Sequence, residues 1–180
     1  MTIVAGVYGA TGGSSGDGSA ATAVQLMTPQ AVAVNPDGYV FIADTGNHKV
    51  LVVKDQNDGH PPSNIPNFLY EINTVAGTCN ADGSAGFAYP FNPFTDATSA
   101  TLNVPMSIAV HPISSDLYIA DTENCIIRKV TSSGLISTVF GEVSLCITHT
   151  DNVTALSNTG NLFVAATTDV PYPYPCVLLY

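Results

Sequence analysis

An all-β fold built from repeated units of four short antiparallel strands is predicted by three observations. A motif occurs twice, as Phe41-Ile42-Ala43-Asp44-Thr45-Gly46-Asn47 and as Tyr118-Ile119-Ala120-Asp121-Thr122-Glu123-Asn124, with Asp44 and Asp121 77 residues apart. Repetition at a fixed spacing marks one supersecondary unit that stacks on its own copies. The flanking segments repeat in the same order: Ala31–Val34 answers to Ser107–Val110, and Asn73–Gly77 answers to Thr2–Gly6 and Ser137–Gly141. Finally, the apolar runs are short and bounded by Gly, Pro, Asn and Asp, which is the pattern of strands rather than helices.

The elements follow in order. Residues 1–6 read as an orphan outer strand that no earlier unit accompanies. Ala20–Leu26 reads as one or two helical turns. Gln30–Val34 is the first strand of a unit. Asn35-Pro36-Asp37-Gly38 is a turn, with Pro presetting φ and Gly accepting a positive φ. Tyr39–Ala43 is the second strand, Asp44–Asn47 turns the chain, and Lys49–Val53 is the third. A polar loop over Lys54–Asn67 leads to the fourth strand, Phe68–Ala76. The second unit runs through Met106–Val110, Asp116–Ala120, Cys125–Val130 and Leu135–Phe140. A degraded third unit offers Val153–Leu156, Asn161–Ala165 and Cys176–Leu179, with Ala166 where the motif has its aspartate. No fourth strand follows before Tyr180.

Composition narrows the partners. Four Lys and Arg stand against 14 Asp and Glu, a net charge of −10. A surface of that sign repels polyanions, which excludes nucleic acid as a partner. No run of 18 apolar residues occurs, so no membrane insertion is expected. No leader-like segment opens the sequence as given, which fits a mature, an incomplete or a cytosolic chain. None of the four cysteines (Cys79, Cys125, Cys146, Cys176) forms a closely spaced pair of the zinc-binding kind. Cys125 and Cys176 precede apolar runs and read as small buried hydrophobes. Cys79 and Cys146 lie in polar loops after Gly77 and Gly141, where a bridge between them would act as a staple. Asn152-Val153-Thr154 is a glycosylation sequon. Together with the scarcity of lysine, these features point to an extracellular or cell-surface glycoprotein.

The repeated residues resemble NHL repeats. In the first unit the resemblance rests on Gly16-Asp17-Gly18, on the Ala23, Leu26, Pro29 approach, on Ala31–Val34 and on Ile42–Asn47. In the second it rests on Asp82-Gly83, on Ala100, Leu102 and Pro105, on Ile108–Val110, on Ile119–Asn124 and on Arg128-Lys129-Val130. It covers most of residues 1–141 and fades beyond Cys146. The resemblance implies a single β-propeller domain over 1–180, with blade 1 at about 30–76, blade 2 at about 106–140 and a degenerate blade 3 at about 153–180. Three blades fall short of the four to eight that close a ring. The chain is then a piece of a longer protein, half of a paired ring, or a link in a head-to-tail assembly. An unpaired strand edge seeks a partner, so the expected partner is the chain itself, as an oligomer or filament, or another protein.

Candidate site residues have a structural and a functional reading. Asp44, Asn47, Asp121 and Asn124 suit Asx turns that satisfy backbone amides. The same carboxylates at strand ends could hold calcium on a propeller channel. Asp17 and Asp82 sit in Gly-rich loops and are weaker calcium candidates, because the alternating acids and closing Glu of a calcium loop are missing. The histidines His48, His60, His111 and His149 are scattered and read as turn or surface residues. No nucleophile elbow or phosphate loop occurs, and with Glu only at 71, 123 and 142 no carboxylate pair suggests itself. The expectation is a non-catalytic interaction scaffold with no catalytic residue and no cofactor beyond a calcium ion. The alternatives are a metal-dependent propeller enzyme similar to gluconolactonase-type hydrolases or the amidating lyase, and a fragment of a larger receptor. Val170–Pro175, in which Pro alternates, reads as an extended arm.

Overall fold

The structure is a computed structural model that describes residues 3–7, 16–55, 70–78, 95–141, 148–155, 162–168 and 176–179. Its first sheet contains β1 (Ser19–Ala20), β2 (Ala31–Val34), β3 (Val40–Asp44), β4 (Lys49–Asp55) and β5 (Tyr70–Ala76). Strands β2 to β5 form an antiparallel meander, and β1 pairs with the outer edge of β5. The second sheet repeats the plan with β6 (Thr95–Asp96), β7 (Pro105–Val110), β8 (Leu117–Asp121), β9 (Ile126–Val130) and β10 (Leu135–Gly141). A third sheet holds β11 (Thr148–Ala155), β12 (Leu162–Thr168) and β13 (Cys176–Leu179).

The register repeats as well. Val32 faces Ile42 across the first strand pair, and Ile108 faces Ile119 at the matching place in the second sheet. The first strands of the three sheets are neighbours: β2 packs on β7, and β7 on β11. Sheets that meet along their first strands and fan outward are propeller blades around an axis. Among the described residues the chain thus forms two complete four-stranded blades, each with a short fifth strand, and a three-stranded third sheet.

Several expectations are corrected. Val4–Gly6 is a bend, and no strand forms over residues 3–7. A fourth strand needs a third strand to pair with, and the described residues supply none beside it. Its contact with the next blade is nevertheless the repeated one: Gly6 N–H donates to Ala21 O at 2.9 Å, as Gly77 N–H does to Ala97 O at 3.0 Å. The helical turns expected over Ala20–Leu26 shrink to a single 3-10 turn, Ala21–Ala23, which recurs at Ala97–Ser99. β4 extends to Asp55 because Lys54 and Asp55 find partners in Glu71 and Tyr70. β11 begins at Thr148, earlier than the sequence suggests, because Thr148 and His149 pair with the far end of β12.

Packing between blades makes the core. Phe41, Ala43, Val50 and Val52 of blade 1 meet Leu117, Ile119, Val130 and Ile136 of blade 2. The opposite face of blade 1 gathers Ile42, Leu51, Val53 and Ile72 under Ala21 and Val24. Alternate residues of each strand therefore serve two interfaces, which explains why the strands are apolar on both faces. Gly77 shows how closely the connection after β5 approaches: it has φ +94°, and a Cβ there would collide with the carbonyl oxygen of His48.

Candidate functional site

The repeated aspartates sit where the second strand of each blade ends, followed by a 3-10 turn (Thr45–Asn47, Thr122–Asn124). Both are fully buried. Asp44 Oδ1 accepts the Met27 N–H at 2.7 Å, and its Oδ2 accepts Asn47 Nδ2 at 2.7 Å. Asp121 Oδ1 accepts the Asn103 N–H at 2.6 Å, and its Oδ2 accepts Asn124 Nδ2 at 2.9 Å. Each carboxylate thus ties the connection that enters a blade to the turn between its second and third strands. Its oxygens face N–H donors, an arrangement that suits a structural node. Among the described residues no group of three or more His, Cys, Asp or Glu is placed to hold a metal.

The two nodes differ in one respect. Burial raises the pKa of Asp44 against the pull of the Asn47 and Met27 donors. At Asp121, burial raises it to about 6, although the Asn103 and Asn124 donors and the Arg128 guanidinium oppose the shift. Arg128 is itself buried and places Nε 3.4 Å from Asp121 Oδ2. Leu51 occupies the corresponding place in blade 1, where Ile42 pairs with Leu51 as Ile119 pairs with Arg128.

Two contacts that the sequence did not disclose cross between blades. Thr45 Oγ1 donates to Pro105 O at 2.6 Å. His48 Nδ1 accepts the Val104 N–H at 3.1 Å, so this histidine is a half-buried interblade acceptor and not a surface residue. His48 has a positive φ of 54°, and Cys125, its counterpart in blade 2, has 57°. Cys125 is disulfide-bonded. The reading of Cys125 as a simple buried hydrophobe is thereby corrected. Both members of the expected Cys79 and Cys146 bridge lie outside the described residues. With four cysteines in the chain, that bridge could coexist within the chain only with a Cys125–Cys176 bond.

The remaining candidates are dispersed. Asp17 Oδ1 accepts both the N–H and the hydroxyl of Thr74, at 2.8 and 2.7 Å, and so clamps β1 onto β5. His111 Nδ1 accepts the N–H groups of Ile113 and Ser114 within its turn. Asn152 lies within β11, opposite Ala165. Asp82, His60 and the 170–175 arm lie outside the described residues.

What stands out is a face and not a cluster. Ile108 of β7 is 6% exposed, because blade 1 covers it. Val32, at the same repeat position in β2, is 64% exposed, and Val34 is 59% exposed. Met27, Ile3, Val4 and Val7 add exposed apolar surface. Blade 1 thus presents to solvent the surface that blade 2 buries against its predecessor.

The comparisons agree with this architecture. The NHL repeat model matches residues 26–53, which span the approach to blade 1 and its first three strands. No curated protein matches the chain significantly. A similar solved structure is the crystal structure of an auxiliary nutrient binding protein from Bacteroides thetaiotaomicron VPI-5482, at 16% identity and a TM-score of 0.50. The match covers 74% of this chain and 33% of that one, so the chain spans about a third of that protein's length. At such identity the likeness concerns the fold alone. The chain is built of propeller blades, and the NHL repeat match falls on the first of them.

Proposed function

We propose that this chain is a non-catalytic propeller scaffold that assembles through its blades, with a second copy supplying the blade that covers blade 1. The carrying observation is the contrast between Val32 and Ile108, two residues at one repeat position with opposite exposure. Removing such side chains from water contributes about 1.5–3 kcal/mol each, a sufficient drive for association when several act together. An exposed apolar patch of this kind marks an interaction surface. Pairing that closes gives an oligomeric ring, and pairing that does not close gives a filament. The buried aspartates serve the fold, which supports a scaffold over an enzyme. The disulfide at Cys125 and the sequon at Asn152 support an extracellular or cell-surface setting.

Light scattering after size exclusion tests the reading. The expected particle has a mass that is a multiple of the chain mass. The double variant Val32→Asp, Val34→Asp is expected to elute as a folded monomer, since a charge at a dry interface is strongly disfavoured. A monomeric wild-type protein at micromolar concentration would refute self-assembly.

A further inference from the structure

Between blades 1 and 2 a cleft of about 470 Å³ opens at the end of the sheets that carries the β2–β3 and β9–β10 turns. This is the opposite end from the aspartate nodes. Its volume lies within the range of small-molecule sites, which concentrate at boundaries between packed units. The floor is apolar, with Phe41 and Val52 from blade 1 and Leu117 and Val130 from blade 2. The rim is polar: Asp37, Tyr39 and Lys54 rise on one side, Asp96 and Ser132 on the other.

The repeat separates what the fold requires from what it does not. A residue that serves the blade recurs at the equivalent place, as Asp44 does in Asp121. The rim residues do not recur. Tyr39, just before β3 begins at Val40, corresponds to Asp116, just before β8 begins at Leu117; Lys54, after Val53, corresponds to Thr131, after Val130. They are nevertheless held in place. Buried Asn35 accepts the Tyr39 N–H at 2.8 Å and donates Nδ2 to Asp37 Oδ2 at 3.3 Å, so one side chain fixes two rim residues. Lys54 Nζ lies 5.6 Å from the Tyr39 ring centroid.

The rim therefore offers carboxylate acceptors, an ammonium donor and hydroxyls above an aromatic and aliphatic floor. Its charges, from Asp37, Asp96 and Lys54, leave a small negative excess that disfavours anions. An uncharged ligand dense in hydroxyls, with an apolar C–H face, satisfies both layers at once. We infer that this interblade cleft binds a neutral mono- or disaccharide. Asp37 and Asp96 accept from ligand hydroxyls, Lys54 donates to ligand oxygens, and Tyr39 with Phe41 packs against the sugar's C–H face.

The test uses the full chain and saturation-transfer NMR with glucose, galactose, maltose, cellobiose and lactose at millimolar concentration. Transfer to at least one sugar is expected, with amide shift changes centred on Thr98, Ser132 and Gly134. Asp37→Asn and Tyr39→Ala are each expected to weaken binding by about tenfold, the loss that follows when a hydrogen bond or packed ring is removed from a built site. Gln25→Ala, remote and exposed, is expected to bind as wild type. Asp37 lies in an exposed turn, so its variant carries the test should Tyr39→Ala unfold. No transfer to any sugar, shift changes centred elsewhere, or tighter binding of butylammonium than of every sugar would overturn the inference. The cleft lies within one chain, so the monomeric Val32 and Val34 variant is expected to bind equally well, which keeps this result independent of assembly.

Discussion

At the scale of single residues, the two aspartates show how one motif acquires two electrostatic characters. Asp44 is surrounded by neutral donors, whereas Asp121 also answers the buried Arg128. Asp121→Asn is expected to leave that guanidinium without a counter-ion and to cost about 3–5 kcal/mol at neutral pH. Asp44→Asn weakens the bonds from Met27 and Asn47 and the longer-range attraction to Lys49, with no buried cation left unpaired, and is expected to cost less, about 1–2 kcal/mol. Urea unfolding of both variants checks the order. Titration should separate the groups further. The Asp121 pKa is raised from 3.8 to about 6, so its contribution to stability is full below 3.8 and is lost as pH rises through 6. His48 acts in the opposite sense. Burial lowers its pKa below 6.5, so its contribution is full above 6.5 and is lost as pH falls through the depressed value. Protonation would also remove the Nδ1 acceptor used by Val104. Melting curves of His48→Gln are expected to show a shallower loss of stability on the acid side than wild type.

At the scale of elements, the strands were legible because each carries several alternating apolar residues bounded by turn formers. The Asp-Thr-x-Asn turn was legible because it occurs twice. Two-residue strands such as Ser19–Ala20 and Thr95–Asp96 carry no period to read, and they exist only because an outer edge lies beside them. The partners of Thr45 and His48 were illegible for another reason: both contacts span more than fifty residues. The Tyr39 and Lys54 rim could not be inferred, since nothing local links the two residues. Gly77 was visible only as the end of a repeated strand, and the structure supplies its reason. Gly77→Ala must place a Cβ against the His48 carbonyl at a positive φ. A loss of more than about 1 kcal/mol is expected, read as a lower urea midpoint. Gly134→Ala provides the control, because its φ is also positive but its Cβ would meet nothing within 4 Å. Its smaller loss would isolate the steric part.

At the scale of the molecule, stability is distributed unevenly. Among the described residues, blade 2 is clasped on both sides, by blade 1 and by β11, while blade 1 has a neighbouring blade on one side only. Local opening follows the density of such contacts. Hydrogen exchange on the monomeric Val32 and Val34 variant is therefore expected to show faster exchange in β2 than in β7. Equal protection would mean that the loop layer of Ala21 and Val24 suffices to hold the first blade shut.

The lengths of the connections complete the comparison of the blades. The turn after the second strand has four residues in both complete blades, 45–48 and 122–125. The turns at the other end differ, with five residues against six before the second strand. One end of the disc is thus under a fixed specification, while the other accepts insertions and new side chains without disturbing the nodes. A lineage that inherits this architecture can revise what it recognises at the permissive end and leave its means of folding unchanged.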